Sequence, residues 1–590
     1  MPGGVLADVS VEDAFLTDIS SDFRSVKTGP TASVVFALPA VRTAAPVPHP
    51  FASLTALALG FVAHAVELRP LFGLSEDRIA RRAAIVEAAS PEAGPLDMAL
   101  YYKVLAPADK LDGILRAISQ ESTVEAGYVK PPTYPPYWAT EAASSPADAP
   151  PDTSDFTSRQ LYLDQSPGGI DARFAWALAG GRGDNVQIID VEGAWRFTHE
   201  DLAQNQGGVV GGTPSTDLGW RNHGTAVVGV FGSDANSIGV TGICPNANTR
   251  AISIFGGLGS AAAIRQAADL LRPGDIILLE LHRPGPRFNF ANNADQTGFI
   301  AVEWWPDDFD AIRYAIGKGI VVVEAAGNGA EDLDAALYET AGTGFPASWK
   351  NPFRRSNRDS GAILVGAGSP PPGTHGNDHG PDRSRLGFSN FGSAVDVQGW
   401  GREVTTTGGR GSNPGDLQGG TNEDVWYTDT FSGTSSASPI VVGTLGCVQG
   451  VLRAQGRIPL APARARSLLR DTGSPHVASP SAPVTQRIGN RPDLRQLVAA
   501  ATEQRQWNGV QFSNSVPANA TRSWFTHSWP AHWHAVWTVV PRSPLAQQAQ
   551  ISWKVQVQRQ TDALLTYHIH VTNLTDQAVE FEARFAVLGW

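Results

Sequence analysis

The chain has 590 residues, a formal net charge of -12, 42% hydrophobic and 17% charged residues, and two cysteines, Cys244 and Cys447. That length exceeds what one hydrophobic core serves, so roughly three or four domains are expected. The acidic balance supplies no basic stripe for nucleic acid, and neither cysteine lies in a metal or redox spacing, so both are read as small buried hydrophobes.

Residues 1–60 are rich in serine, alanine and proline without sustained periodicity and are expected as a weakly structured lead-in. Met1 to Asp13 lacks the basic start and apolar run of a secretory signal, which leaves the compartment open. The apolar run at 51–66 is short for a membrane span and contains His64, so a buried helix is expected and no membrane partner. Residues 61–132 alternate strand-like runs at 66–71, 100–105 and 124–129 with helical ones at 76–89 and 108–120. Leu111, Ile114, Leu115 and Ile118 form one apolar helical stripe. Residues 133–157, dense in proline, read as an exposed linker where processing would occur.

Residues 158–502 alternate apolar strands, at 186–189, 250–255, 276–281, 320–323 and 362–365, with helices such as 261–271, 309–318 and 439–454. This pattern predicts an α/β domain, a parallel sheet with helices on both faces. Residues 503–590 change to aromatic and β-branched alternation and predict a small antiparallel β-sandwich. Trp524, Trp529, Trp533 and Trp537 are read as its core, with a carbohydrate platform as the competing reading. Asn519-Ala520-Thr521 and Asn573-Leu574-Thr575 fit the glycosylation acceptor pattern.

Four stretches carry chemistry. Ser435 lies in Phe431-Ser432-Gly433-Thr434-Ser435-Ser436-Ala437-Ser438-Pro439, where small residues leave room for substrate and an apolar helix begins. A serine hydroxyl needs a base and an oxyanion donor to act as a nucleophile. His223 opens a small-residue helix in Asn222-His223-Gly224-Thr225 and can be the base; Asp190 ends the run Val186-Gln187-Ile188-Ile189 and can orient it; Asn328, between Gly327 and Gly329 after a strand, can donate to an oxyanion. Each also has a bland reading, as a helix cap, a surface histidine, a strand-ending turn or a turn asparagine. Together, in the order Asp, His, Asn, Ser, they point to one site.

These residues resemble the subtilisin-like serine proteases, and the likeness spans roughly residues 159–500. It extends through His199-Glu200-Asp201-Leu202, Gly344-Phe345-Pro346-Ala347 and Leu386-Gly387-Phe388-Ser389-Asn390-Phe391-Gly392. The resemblance implies a subtilisin-like fold and a serine endopeptidase: Ser435 as nucleophile, His223 as base, Asp190 orienting it, and Asn328 with the Ser435 amide binding the oxyanion. It implies protein or peptide substrates, an extracellular setting, and neither cofactor nor catalytic metal. Calcium is common in such proteins, and Glu331, Asp332 and Asp334 or Asp378 and Asp382 offer oxygens, with solvated acidic loops as the alternative.

Around the pocket the resemblance places Glu280, Leu281, His282, Ala326, Gly327 and Gly344. Glu280 and His282 depart from the usual Ser-Leu-Gly and raise the expectation of a basic residue before the scissile bond. Residues 66–132 resemble the subtilase propeptide, which assists folding and blocks the cleft, so the N-terminal domain is expected as an intramolecular inhibitor. The competing class is a catalytically silent subtilase fold that binds peptide or glycan; an esterase elbow fits poorly, because Ser435 is flanked as Gly-Thr-Ser-Ser-Ala.

Overall fold

The computed structural model describes residues 33–37, 67–89, 96, 98–105, 110–119, 124–137, 153–503, 507–531, 533–542, 548–559 and 564–588. The chain divides into two compact units, Met1–Ala80 with Asp97–Val498, and Arg81–Leu96 with Ala499–Trp590. The apolar run at 51–66 lies outside the described residues.

The first unit begins with an antiparallel sheet of β1 (Ser33–Ala37), β2 (Glu67–Pro70), β3 (Tyr101–Leu105) and β4 (Ala126–Lys130), in the order β2-β3-β1-β4. Helix α1 (Glu76–Ala89) follows β2 and α2 (Leu111–Ile118) follows β3, as the sequence pattern predicts. Strand β1 departs from it. Its Ser-Val-Val-Phe-Ala sits in the expected lead-in, yet pairs with β3 on one side and β4 on the other. Five residues between serine- and proline-rich flanks give too short a pattern to announce a central strand, and the pairing that fixes it is remote in sequence.

Next comes a seven-stranded parallel sheet. In chain order its neighbourhood contains β5 (Gln187–Glu192), β6 (Gln206–Gly211), β7 (Asn248–Ser253), β8 (Ile276–Leu279), the small hairpin β9 (His282–Pro284) and β10 (Phe299–Ala301), then β11 (Val321–Ala325), β12 (Ile363–Gly368) and β13 (Val395–Trp400). The sheet order is β13-β12-β11-β8-β5-β7-β6. Its inner strands are buried along their length, as continuously apolar strands covered on both faces should be. The glycine-rich β6 and the mixed β13 carry no such run, and neither was expected from the sequence.

Helices α3 (Ala172–Trp176), α4 (Leu218–Gly232), α5 (Ser260–Leu270), α6 (Pro306–Gly317) and α7 (Thr434–Ala454) follow in this unit. The Asp217 side chain caps α4 by accepting from the Trp220 amide at 3.0 Å. Helix α7 is long and apolar enough to cross a bilayer, but its apolar window is buried inside the protein. Its Gly450 lets the chain at Gly180 pass so closely that a Cβ would meet the Gly180 carbonyl oxygen at 2.1 Å. Cys244 and Cys447 are free and buried.

The second unit contains two three-stranded antiparallel sheets. Strands β14 (Trp507–Val516), β15 (Thr521–Pro530), β16 (Ala535–Pro541), β17 (Ile551–Arg559), β18 (Leu564–Asn573) and β19 (Val579–Val587) are ordered β14-β19-β16 and β15-β18-β17. Trp529 and Trp537 are buried in the shared core, with Trp524 and Trp533 packed against it, so the tryptophans are core and form no open platform. Asn573 is buried and spends its amide on the carbonyls of Val516, Pro517 and Gln577, so that acceptor triplet is structural.

His199 is buried, its Nε2 2.8 Å from the Trp426 carbonyl. Burial, partly opposed by that contact, pushes the imidazole down to about 4. The folded state therefore prefers the neutral ring, and its contribution is complete above the unfolded value near 6.5 and lost as pH falls through about 4. In an inactive Ser435→Ala background, replacing His199 with asparagine should remove roughly one proton from the linkage, about 1.4 kcal/mol per pH unit of slope between those limits, in denaturation midpoints measured against pH. An unchanged slope would contradict the assignment.

Candidate active site

Strand β5 delivers two carboxylates on one face, because Asp190 and Glu192 are two residues apart. The sequence reading ended this strand at Ile189, but it continues: Val191 pairs with Leu279 and Glu192 with Ser253. Asp190 is thereby left about 6–7 Å short of the sheet's carboxyl edge. Its Oδ2 accepts the Trp195 indole N–H at 2.7 Å, and the structure does not bring it to His223. Glu192, at the end of the strand, takes that place, with Oε2 2.6 Å from His223 Nδ1. Both partners are buried.

Burial alone pushes the Glu192 carboxyl well above the usual carboxylate range and the His223 imidazole down to about 3. Asp190 is raised well above its ordinary value by burial and then by the nearby Glu192 charge. A neutral imidazole is the form that can accept a proton. His223 Nε2 is buried without a hydrogen-bond partner among the described residues.

Ser435 stands at the start of α7, behind Gly433, whose φ of 111° lies where a side chain is strained. The Ser435 hydroxyl donates to the carbonyl oxygen of Pro136 at 2.8 Å, and its amide points to the same oxygen at 3.4 Å. Asn328 lies beside them. Its Oδ1 accepts the Thr434 amide and hydroxyl, both at 2.9 Å, and its Nδ2 donates to Gln296 Oε1 at 3.1 Å. Gln296 in turn donates to the Pro135 carbonyl at 3.0 Å. Ser435 and Asn328 of the sequence reading thus converge, with Gln296 added, while His223 and its partner Glu192 join them through the Phe431 and Tyr137 rings, 5.7 and 6.3 Å from the imidazole. Glu192 could have been found from alternation, since it shares Asp190's face; Gln296 gave no local signal.

The segment at 133–137 is not an exposed linker. Tyr134 exchanges backbone hydrogen bonds with His282, amide to carbonyl at 3.0 Å and carbonyl to amide at 3.1 Å. Tyr137 bridges to Gly433 on the other side of Ser435. The chain therefore runs through its own groove as an added strand.

Of the expected pocket residues, His282 supplies that pairing backbone, and its Nδ1 accepts the Asn328 amide at 3.3 Å. Glu280 is fully buried and accepts from Ser438, so its carboxylate does not face the groove, and the expectation of a basic residue before the scissile bond that rested on it loses its basis. Leu281 and Ala326 are fully buried, the Ala326 carbonyl accepting Asn390 Nδ2 at 2.7 Å. Gly327 at φ 98° admits Asn390, whose amide would meet a Cβ at 2.7 Å. Gly344 lies against β4, its carbonyl accepting the Gly127 amide at 3.0 Å.

Carboxylates in both acidic clusters accept from protein groups. Glu331 is taken by Arg287 and Tyr338, Asp334 by Ser393, and Asp382 by Arg383 and Arg491. Among the described residues no group of three or more His, Cys, Asp or Glu is placed to hold a metal ion.

The family model described as "Subtilase family" matches residues 196–490. The chain is similar to thermitase of Thermoactinomyces vulgaris, 29% identical over 51% of this chain and 85% of that protein. It is similar to Subtilisin NAT of Bacillus subtilis subsp. natto, 26% identical over 49% of this chain and 62% of that one. A solved structure titled as the Prenylagaramide maturation protease PagA is 19% identical with a TM-score of 0.38, covering 57% of this chain and 99% of its own.

A Cβ at Gly433 would lie 2.2 Å from the Pro136 carbonyl oxygen, a backbone contact that cannot yield cheaply. Gly433→Ala, made in a Ser435→Ala chain, should lift the segment and raise added-protease cutting within 131–137 at least about tenfold, read by mass spectrometry. Equal rates would contradict the close approach.

Proposed function

This chain belongs to the subtilase family, and from that premise we propose that it is a serine endopeptidase folded in a self-inhibited form. The observation that carries the reading is that Ser435 donates to the Pro136 peptide carbonyl while the next residue, Tyr137, packs edge-on to the His223 that Glu192 holds. In it, Ser435 Oγ attacks the substrate carbonyl carbon and His223 Nε2 takes the hydroxyl proton, later giving it to the leaving amine. Glu192, rather than Asp190, receives Nδ1–H, fixes the tautomer and stabilises the imidazolium. The Ser435 amide and Asn328 Nδ2 donate to the oxyanion, for which Asn328 must release Gln296. Asp190 holds Trp195 beneath the strand.

Inhibition is read from how the N-terminal sheet is anchored. Lys130 is paired with Asp307 and, at 2.9 Å, with Asp308 in the first turn of α6. Tyr128 donates to Asp307 at 2.8 Å, Tyr101 to Asp310 at 2.9 Å, and Lys103 to the Leu258 carbonyl at 2.9 Å. These contacts are buried or nearly so and hold β4 where 131–137 must enter the groove. Protein or peptide substrates would replace that segment along His282.

The test is fluorophosphonate labelling of Ser435 together with peptide hydrolysis. Glu192→Gln should lower kcat by about 10³–10⁴, the range expected when the orienting acid is lost, whereas Asp190→Asn should stay within about tenfold of the parent. The opposite ranking would return the role to Asp190. Absence of both labelling and hydrolysis, after segment 131–137 is proteolytically removed, would favour a silent peptide-binding protein.

A further inference from the structure

Resting on that peptidase reading, we propose that the groove takes an aromatic residue immediately after the bond it cuts, and that Tyr137 is its built-in occupant, with Pro136–Tyr137 as the chain's own processing bond. The register fixes the bond. Tyr134 is held in both directions by His282, and two residues on, the Pro136 carbonyl meets the Ser435 hydroxyl and amide. The next residue crosses to the leaving-group side and pairs with Gly433.

There the Tyr137 ring lies nearly parallel to Phe431, centroids 6.3 Å apart at 16°, and edge-on to His223 at 6.3 Å and 83°. The loop opposite meets the ring at glycines, with the buried Arg410 between them. A Cβ at Gly411 would lie 3.7 Å from Tyr137 Cε1, and one at Gly409 would strike the Asn413 carbonyl oxygen at 2.2 Å. A cavity of about 170 Å³, bounded by Tyr137, Trp220, His223 and Phe431, continues beyond the ring. Flat aromatic walls on one side and glycine backbone at 409 and 411 on the other make a slot for a ring, which small or branched side chains would leave unfilled.

In the processing step Ser435 Oγ adds to the Pro136 carbonyl carbon and the Pro136–Tyr137 C–N bond breaks. The hydroxyl proton passes through His223 to the Tyr137 nitrogen, and water then hydrolyses the ester, leaving a carboxyl on Pro136 and free Ser435. The Tyr137 amide now donates to the Pro135 carbonyl at 2.8 Å, a tight turn that ties back the leaving nitrogen and suits a slowly cut, inhibitory bond.

The purified full chain is incubated with a mixed peptide library, its products are sequenced at both new termini, and its own processed N-terminus is read in the same sample. Tyr, Phe or Trp should follow the cut bond, favoured over Ala at least about tenfold in kcat/KM, and the chain's new N-terminus should be Tyr137. Phe431→Ala should shrink the Tyr-to-Ala ratio about tenfold. Cleavage without aromatic preference, a ratio unmoved by Phe431→Ala, a different new N-terminus, or a chain that labels with fluorophosphonate yet stays unprocessed overturns this inference alone. Neither label nor cleavage overturns the peptidase reading with it.

Discussion

The contact on which the rest depends is the 2.6 Å hydrogen bond between the Glu192 carboxylate and His223 Nδ1. It engages Nδ1 and leaves Nε2 without a hydrogen-bond partner among the described residues, and it exists only because β5 runs one pleat farther than its apolar core. The strand is held to that length by neighbours on both sides, β7 and β8, so the position of the acid is a property of the sheet. Burial of both groups disfavours their charged forms, which keeps the ring neutral in the filled groove and makes the pair sensitive to anything that admits water.

Much of this was legible in the residues. The inner strands of the sheet, the long helix after Ser435 and the tryptophan-rich sandwich all follow from hydrophobic pattern, and pattern is what burial on one or both faces writes into a sequence. The small-residue surroundings of Ser435, His223 and Asn328 were readable because close backbone approach requires them. Asp190 misled for a local reason: it follows the last aliphatic pair in Ile188-Ile189, whereas the strand's true end is set by pairing partners some sixty to ninety residues away, which no window contains. Strand β1 was invisible for the same reason. The proline-rich stretch at 133–137 looked like linker because composition reports exposure on average, while its burial comes from an antiparallel bridge to His282.

That bridge gives the groove segment two roles in one geometry. As an added strand it satisfies the backbone of His282, and at its end it presents a carbonyl to the serine. The ion pairs of Lys130 hold the preceding strand against α6, so the position of the carbonyl is determined from both ends. Prolines at 135 and 136 stiffen the approach and lower the entropy lost on binding. On the proposed reading, self-inhibition needs no separate lid.

The central claim is that Glu192 orients the catalytic imidazole, and the most direct measurement is the His223 Nδ1 proton resonance in histidine-labelled Ser435→Ala protein. The account predicts a downfield, exchange-protected signal that survives Asp190→Asn and is lost in Glu192→Gln. A signal lost with Asp190→Asn and unaffected by Glu192→Gln would contradict it.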